Sequence, residues 1–210
     1  VVQLESAGTR VLLMSDSGFR TEQWLLENEP DLRSDIVIKG QHSGARLLHR
    51  FKAGGGTLFD LEYLVDESGR RVAAFGYWAG YAGAMVAMHC WIAQQNGGLC
   101  GPIGASADRA AALADLGAAL NGCAEPTPSA IVIGALGRVG TGAADLCAEL
   151  GLKVTKWDMA ETASGGPFGE ILQHDLFFNC ILARPGTPVF VPAKAVSMPR
   201  SLRVIGDIAC

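Results

Sequence analysis

The stretch Ile131-Val132-Ile133-Gly134-Ala135-Leu136-Gly137-Arg138-Val139-Gly140-Thr141-Gly142 decides the fold: a short apolar, β-branched run stops on a glycine and opens into a helical pattern. Its spacing is G-x-x-G-x-x-G, a variant of the commoner G-x-G-x-x-G turn. Each glycine has a physical reason. Gly134 lets the chain reverse out of a buried strand, Gly137 lets backbone approach a pyrophosphate, and Gly140 lets the new helix pack closely against the sheet. Phosphates would then meet free backbone N–H groups at the positive end of a helix dipole.

Working outward, residues 143–150 read as the helix that follows the turn, Gly151 closes it, and Leu152-Lys153-Val154-Thr155-Lys156-Trp157 is a second strand ending on Asp158. That acid stands about 20 residues past the glycines, where a carboxylate takes the ribose hydroxyls of NAD. The nearest basic side chains, Lys153 and Lys156, precede it rather than follow it, which favours NAD over NADP. Residues 164–168 then form a loop, 174–182 a parallel strand ending near the place of a nicotinamide, and 203–208 one more strand. A doubly wound sheet that stopped there would leave an apolar face uncovered, so the expectation is a fragment, or a chain whose later residues are not represented.

Upstream, residues 10–14 and 35–40 read as strands with a short helix over 21–26 between them, and their continuous apolar runs are the pattern of parallel strands buried on both faces. Residues 43–52 have helical spacing, with Ser43 as cap and Gly54-Gly55-Gly56 as stop. Residues 57–65 and 71–75 flank Asp66-Glu67-Ser68-Gly69, which predicts a β-hairpin with Glu62 and Arg71 on opposite arms. Residues 77–95 form a long apolar helix with many small residues, in which the aromatics at 77, 78, 81 and 91 are core. Ser106 caps an alanine-rich helix over about 108–120, and 121–128 is a linker of turn formers. The chain is thus α/β with two domains: 1–128 for substrate and catalysis, and 129–210 for the dinucleotide.

Composition narrows the function classes. The chain has 210 residues, 49% of them hydrophobic, and a formal net charge of −4, which is ample apolar material for a core. It shows no basic stripe for nucleic acid and no apolar run of membrane-spanning length. The opening Val1-Val2-Gln3-Leu4-Glu5 lacks a signal-peptide profile, and the expected location is the cytoplasm. Cysteines at 90, 100, 123, 147, 180 and 210 have no C-x-x-C spacing, and the four histidines do not pair at i, i+4. Reduced thiols and no metal site are expected.

Several ordered motifs carry a resemblance. Gly54-Gly55-Gly56-Thr57-Leu58-Phe59-Asp60-Leu61-Glu62 with Gly69-Arg70-Arg71-Val72-Ala73-Ala74-Phe75-Gly76-Tyr77-Trp78-Ala79-Gly80 resembles the NAD-dependent, lysine-forming saccharopine dehydrogenases. Ile133-Gly134-Ala135-Leu136-Gly137-Arg138, Lys156-Trp157-Asp158, Gly165-Gly166-Pro167-Phe168 and Asn179-Cys180-Ile181 follow in that family's order, so the likeness runs from about residue 41 to 208.

The resemblance implies two Rossmann-like domains with parallel doubly wound sheets and an active site in the cleft between them. It implies oxidation of the secondary amine of saccharopine by NAD, then hydrolysis of the imine to lysine and 2-oxoglutarate, or the reverse condensation. By position, Arg71 would hold a substrate carboxylate as a bidentate fork. Glu62 would tune the acid/base groups, and Gln41 and Phe75 would line the substrate pocket. Gly134, Gly137, Arg138, Gly140 and Asp158 would hold NAD, with the strand-end thiol Cys180 near the nicotinamide. Family members can carry a partner cysteine in the glycine turn. Here that place is Val139, which excludes a disulfide there.

One departure stands out. The family's catalytic lysine and histidine lie between the strand and helix that Lys39-Gly40-Gln41 joins directly here, and its G-L-K-E and F-A-H-x-Y-K motifs are missing. Lys39 precedes Gly40 rather than following it, and His42 falls after the glutamine, so neither substitutes. The expectation is that residues have been lost from the sequence at this point; an inactive homologue with a deletion would read the same way. Two alternatives stand beside the main reading: another two-domain NAD-linked amino-acid or opine-type dehydrogenase, and a non-catalytic NAD-binding homologue.

Overall fold

The structure is a computed structural model that describes residues 2–6, 9–15, 19–28, 36–39, 52–55, 57–60 and 63–208. Gln41, Glu62 and nearly all of the helix expected over 43–52 lie outside the described residues. The chain divides into two compact units, Val1–Ala74 and Phe75–Cys210.

The first unit holds a sheet in the order β1-β2-β3-β4, formed by β1 (Val2–Ser6), β2 (Thr9–Ser15), β3 (Ile36–Lys39) and β4 (Thr57–Asp60). The apolar runs of β2 and β3 pair in parallel, Val11 with Ile36 and Leu13 with Ile38, and β4 continues the parallel set. β1 adds an antiparallel strand, with Val2 opposite Leu13, so this sheet is mixed. Helix α1 spans Phe19–Asn28 and buries Leu25.

The expected hairpin is only partly formed. β4 pairs with β3 rather than with residues 71–75, and Arg71 makes one isolated antiparallel bridge, to Val65. The turn itself is as its residues dictate. Gly69 takes φ +78°, and Asp66 Oδ1 accepts from Ser68 N (3.0 Å), Ser68 Oγ (2.6 Å) and Arg70 N (2.9 Å). Those bonds hold the Asp66 carboxyl below its ordinary value, the Ser68 hydroxyl contributing most.

The second unit has helices α2 (Gly76–Gln95), α3 (Arg109–Asn121), α4 (Arg138–Glu149) and the short α5 (Met159–Thr162). They accompany a sheet of β5 (Ser129–Ile133), β6 (Lys153–Trp157), β7 (Leu176–Asn179) and β8 (Val204–Asp207). Its order is β6-β5-β7-β8 and all pairings are parallel.

β5 shows why a continuous apolar run marks such a strand. Ala130 and Val132 face a core with Met88, Trp91, Leu116, Leu146 and Phe178, while Ile131 and Ile133 face the opposite core with Phe168, Ile171 and Phe177. Helices α2 and α4 meet backbone to backbone. A Cβ on Gly80 would lie 1.8 Å from Val139 O, and one on Gly142 would lie 1.9 Å from Tyr77 O.

The cap of α3 is Asp108 rather than the expected Ser106. Its carboxylate accepts from Ala111 N at 2.8 Å, the N-cap to N3 bond that Ser106 stands too early to make. Among the described residues no helix is long and apolar enough to cross a membrane.

Candidate functional site

The chain leaves β5 for β6 on one side and then returns to place β7 on the other, so the order of the parallel strands reverses between β5 and β7. A crevice outside the carboxyl ends of strands at such a reversal is where open α/β sheets take ligands. The glycine turn lies at that end.

Local forces build it. Ser129 N and Oγ donate to Asp175 Oδ2 at 2.8 and 2.9 Å and fix the start of β5. At its far end Gly134 takes φ +86°, a conformation that disfavours any residue with a Cβ, and an added Cβ would also lie 2.9 Å from Cys180 O. Gly134 N and Ala135 N both donate to Trp157 O, at 2.9 and 3.0 Å, which ties the turn to the tip of β6. Gly140 is required by closeness alone, since its Cβ would lie 2.1 Å from Gly134 O.

Gly137 is different. As N-cap of α4 it has φ −74° and ψ 167°, extended backbone open to any residue, and its Cβ would meet only Gly134 O, at 3.3 Å. Gly137 has no side chain to cap α4, whose first-turn N–H groups lie outside the intrahelical ladder and point toward the crevice end of the sheet. An anion placed there gains the helix dipole as well. Arg138 opens the helix, half-buried.

Asp158 joins this corner. Its Oδ2 accepts from Leu136 N, inside the glycine turn, at 2.9 Å, and its Oδ1 accepts from Met159 N at 2.9 Å as the cap of α5. Glu161 Oε2 accepts from Asp158 N in return, completing a capping box. A carboxylate has about four acceptor sites, and the capping box also turns this side chain toward the N3 backbone, so acceptor capacity remains for a ligand's hydroxyls.

Cys180 follows β7, its N–H donating to Ile133 O at 2.9 Å, and its carbonyl abuts Gly134. Burial, and next the Asp207 carboxylate, push its thiol up to about 12, so at neutral pH it is a protonated wall rather than a nucleophile. The structure thus brings Gly134, Gly137, Arg138, Gly140, Asp158 and Cys180 into one corner of the second unit. Arg71, exposed on the far arm of the Asp66 turn, belongs to the first unit. Phe75 stands exposed just before α2.

Sequence reasoning missed three contacts here. The Trp157 carbonyl and the Leu136 N–H depend on the β5–β6 register, which no local pattern reveals. Asn179 Nδ2 donates to Asp207 Oδ1 at 3.0 Å across β7 and β8, and both residues line a cavity of about 250 Å³ with Phe177, Ile181, Thr187 and Phe190. Ile181 is also the side chain nearest an added Gly134 Cβ, so that cavity adjoins the corner. Of the histidines within the described residues, His174 is buried at the amino end of β7, beside Glu170, and His89 lies on α2 against the 99–106 loop.

This sheet order and turn define a parallel α/β unit of the Rossmann-like class. No protein-family model matches the chain. Curated relatives do. The chain is 44% identical over 179 residues to the Neurospora crassa protein named saccharopine dehydrogenase [NAD(+), L-lysine-forming], covering 81% of this chain and 48% of that one. It is 40% identical over 182 residues to the Schizosaccharomyces pombe protein of the same name, covering 82% and 50%, and 41% identical to that of Yarrowia lipolytica, covering 81% and 49%. The chain is a homologue of the NAD(+)-dependent, L-lysine-forming saccharopine dehydrogenases, and it spans about half the length of the curated relatives it matches. A solved structure of D-2-hydroxyisocaproate dehydrogenase covers 84% of this chain at 12% identity and a TM-score of 0.39, too slight a likeness to bear on the fold.

Proposed function

We propose that the protein works in the cytoplasm as an NAD-dependent oxidoreductase on CH–NH groups, cleaving saccharopine to L-lysine and 2-oxoglutarate or running the reverse condensation. The observation that carries the reading is the corner in which a glycine turn, an uncapped helix N-terminus and Asp158 converge, in a chain about 40% identical to proteins named for that activity.

The residues present fit the dinucleotide. The first-turn N–H groups of α4 and the bare Gly137 would take the pyrophosphate, with Gly134 and Gly140 holding the turn tight beneath it and Arg138 at its edge. Asp158 would accept from the ribose hydroxyls while keeping Leu136 N. Cys180, protonated, would bound the nicotinamide end without competing as a nucleophile. The chemistry that bound NAD supplies is acceptance of a hydride from the carbon of the substrate's secondary amine.

In the other half of the reading, residues 1–128 serve substrate and catalysis, and 129–210 the dinucleotide. Arg71, exposed and cationic, would hold a carboxylate as a planar fork. Phe75 and Gln41 would line the substrate site, and Glu62 would set the charge balance of the proton-transfer groups. Each such group is typically worth about 10²–10⁴-fold in rate.

The test is NADH formation from saccharopine, read by absorbance beside calorimetric NAD binding and the intact mass of the same sample. Binding with turnover is expected. NAD binding with turnover only on a different amino acid would transfer the protein to another opine-type or amino-acid dehydrogenase activity. Binding with no turnover on any of them would make it a non-catalytic NAD-binding homologue, and no binding would overturn the reading altogether.

A further inference from the structure

Helix α2 ends at Gln95, and the chain leaves it through Asn96-Gly97-Gly98. Asn96 is the C-cap, exposed, with φ −89° and ψ 10°, and its side-chain amide makes no hydrogen bond to any described residue. Gly97 takes φ +74° and donates to Gln94 O at 3.0 Å, and Gly98 N donates to Ala93 O at 2.9 Å. Beyond them, residues 99–107 make no backbone-to-backbone hydrogen bond with any described residue. Residues 99–106 wall a cavity of about 520 Å³ against Met85, His89 and Ile92 of α2.

From this arrangement we propose that Asn96 is a site of spontaneous deamidation, through a cyclic imide closed by the Gly97 nitrogen, which loosens the end of α2. In an asparagine followed by glycine, the next backbone nitrogen reaches the side-chain carbonyl carbon with least hindrance, because no Cβ flanks that nitrogen. A Cβ on Gly97 would meet nothing within 4 Å, so the approach is open on the protein's side as well. Ring closure requires Asn96 to swing ψ away from 10°. That motion releases the Gly97 and Gly98 bonds and carries with it a segment that has no backbone bonds of its own.

The chain holds a second such pair, Asn121-Gly122, which the fold treats differently. Asn121 is the last residue of α3, and Gly122 N and Cys123 N donate to Ala118 O at 3.2 Å and Leu120 O at 3.1 Å. A swing of ψ there also pulls on an anchored segment. Cys123 packs against the core, Glu125 is paired with Arg203, and Pro128 is fully buried. Local opening is therefore costlier at Asn121 than at Asn96.

The chemistry needs only water. The Gly97 nitrogen gives its proton to solvent and attacks Asn96 Cγ, and the side-chain nitrogen leaves as ammonia. Water then adds to either carbonyl of the imide and opens the ring, giving aspartate or isoaspartate, with nothing oxidised or reduced. Either product places a new carboxylate at the negative end of the α2 dipole, where a cation is favoured. Isoaspartate also routes the main chain through Cβ, which shifts the register of the two bonds that hold the reversal.

The test holds freshly purified intact protein at neutral pH and physiological temperature, with a parallel sample in urea, and maps both by mass spectrometry over time. In urea the two pairs should convert at similar rates. In the folded protein Asn96 should convert at least about tenfold faster than Asn121, yielding both aspartate and isoaspartate. Amide exchange in the last turn of α2 should then speed about two- to fivefold. Asn96→Gln should abolish the change at that position and leave conversion of Asn121 as it was. Folded protein in which Asn121 converts as fast as Asn96 would overturn the proposal, as would an Asn96 that stays intact while the urea sample converts. So would unchanged exchange at the end of α2 in the converted protein.

Discussion

Replacing Gly137 by alanine separates what the glycine turn does for a ligand from what it does for the fold. At φ −74° and ψ 167° alanine is unstrained, and its Cβ meets only Gly134 O, at 3.3 Å. The lower entropy of the unfolded chain favours the variant by about 0.4–1 kcal/mol, and the tight contact offsets part of that, so stability should stay within about 1 kcal/mol of the parent. The new methyl stands over the N–H groups of the first turn of α4, where the phosphates would rest. A pyrophosphate forced outward loses at least one charge-assisted hydrogen bond, about 1.5–3 kcal/mol, or roughly 10- to 150-fold in affinity. Urea unfolding reads the first quantity and calorimetric titration with NAD the second. Gly140→Ala is the reference: its Cβ would lie 2.1 Å from Gly134 O and 2.7 Å from Ala135 Cα, so the turn must open and stability should fall by about 3 kcal/mol or more. A Gly137→Ala protein that is folded and binds NAD as tightly as the parent would refute the placement of the pyrophosphate.

Three further outcomes are expected. Asp158→Asn keeps one acceptor oxygen for the α5 cap, so it should cost about 1 kcal/mol or less in stability while weakening NAD by about tenfold or more; unchanged NAD affinity in titration would remove Asp158 from the site. The Cys147 thiol is raised from 9.0 to about 12 by burial, so its stabilising contribution is fully present below about pH 9 and is lost as pH rises toward 12. That loss is on the order of 4 kcal/mol, and urea unfolding of Cys147→Ala should show a visibly flatter profile between pH 8 and 11 than the parent; parallel profiles would count against it. Leu116→Ala empties a fully buried place in the core of the second unit and should cost about 2–5 kcal/mol by chemical denaturation, with NAD affinity unchanged wherever the variant is folded.

Much of the second unit was legible because its strands are buried on both faces and therefore read as unbroken apolar runs. Residues 131–133 and 176–178 are such runs, and both are inner strands of the parallel sheet. The edge strand β1 escaped notice: Val2 and Leu4 alternate with Gln3 and Glu5, a weak pattern over five residues. The hairpin expectation failed in part because β-forming residues such as Thr57–Asp60 do not name their partner, and a parallel neighbour, β3, took them.

In the candidate site, Asp158 was legible from its spacing to the glycines, and Gly134 from its turn. What spacing cannot give is register. The bonds from Gly134 N and Ala135 N to Trp157 O, and from Asn179 to Asp207, exist only once strands are aligned.

The meeting of α2 and α4 has a consequence for how this protein can change over generations. At Gly80 against Val139 O and Gly142 against Tyr77 O, the opposing atoms belong to the main chain. A crowded side chain can be relieved by trimming its neighbour, but a carbonyl oxygen cannot be trimmed by any codon. Second-site suppressors of Gly80→Ala or Gly142→Ala should therefore be absent from the facing positions Val139 and Tyr77. Elsewhere along the two helices a change in one side chain can be answered by a change in its neighbour; along this seam it cannot.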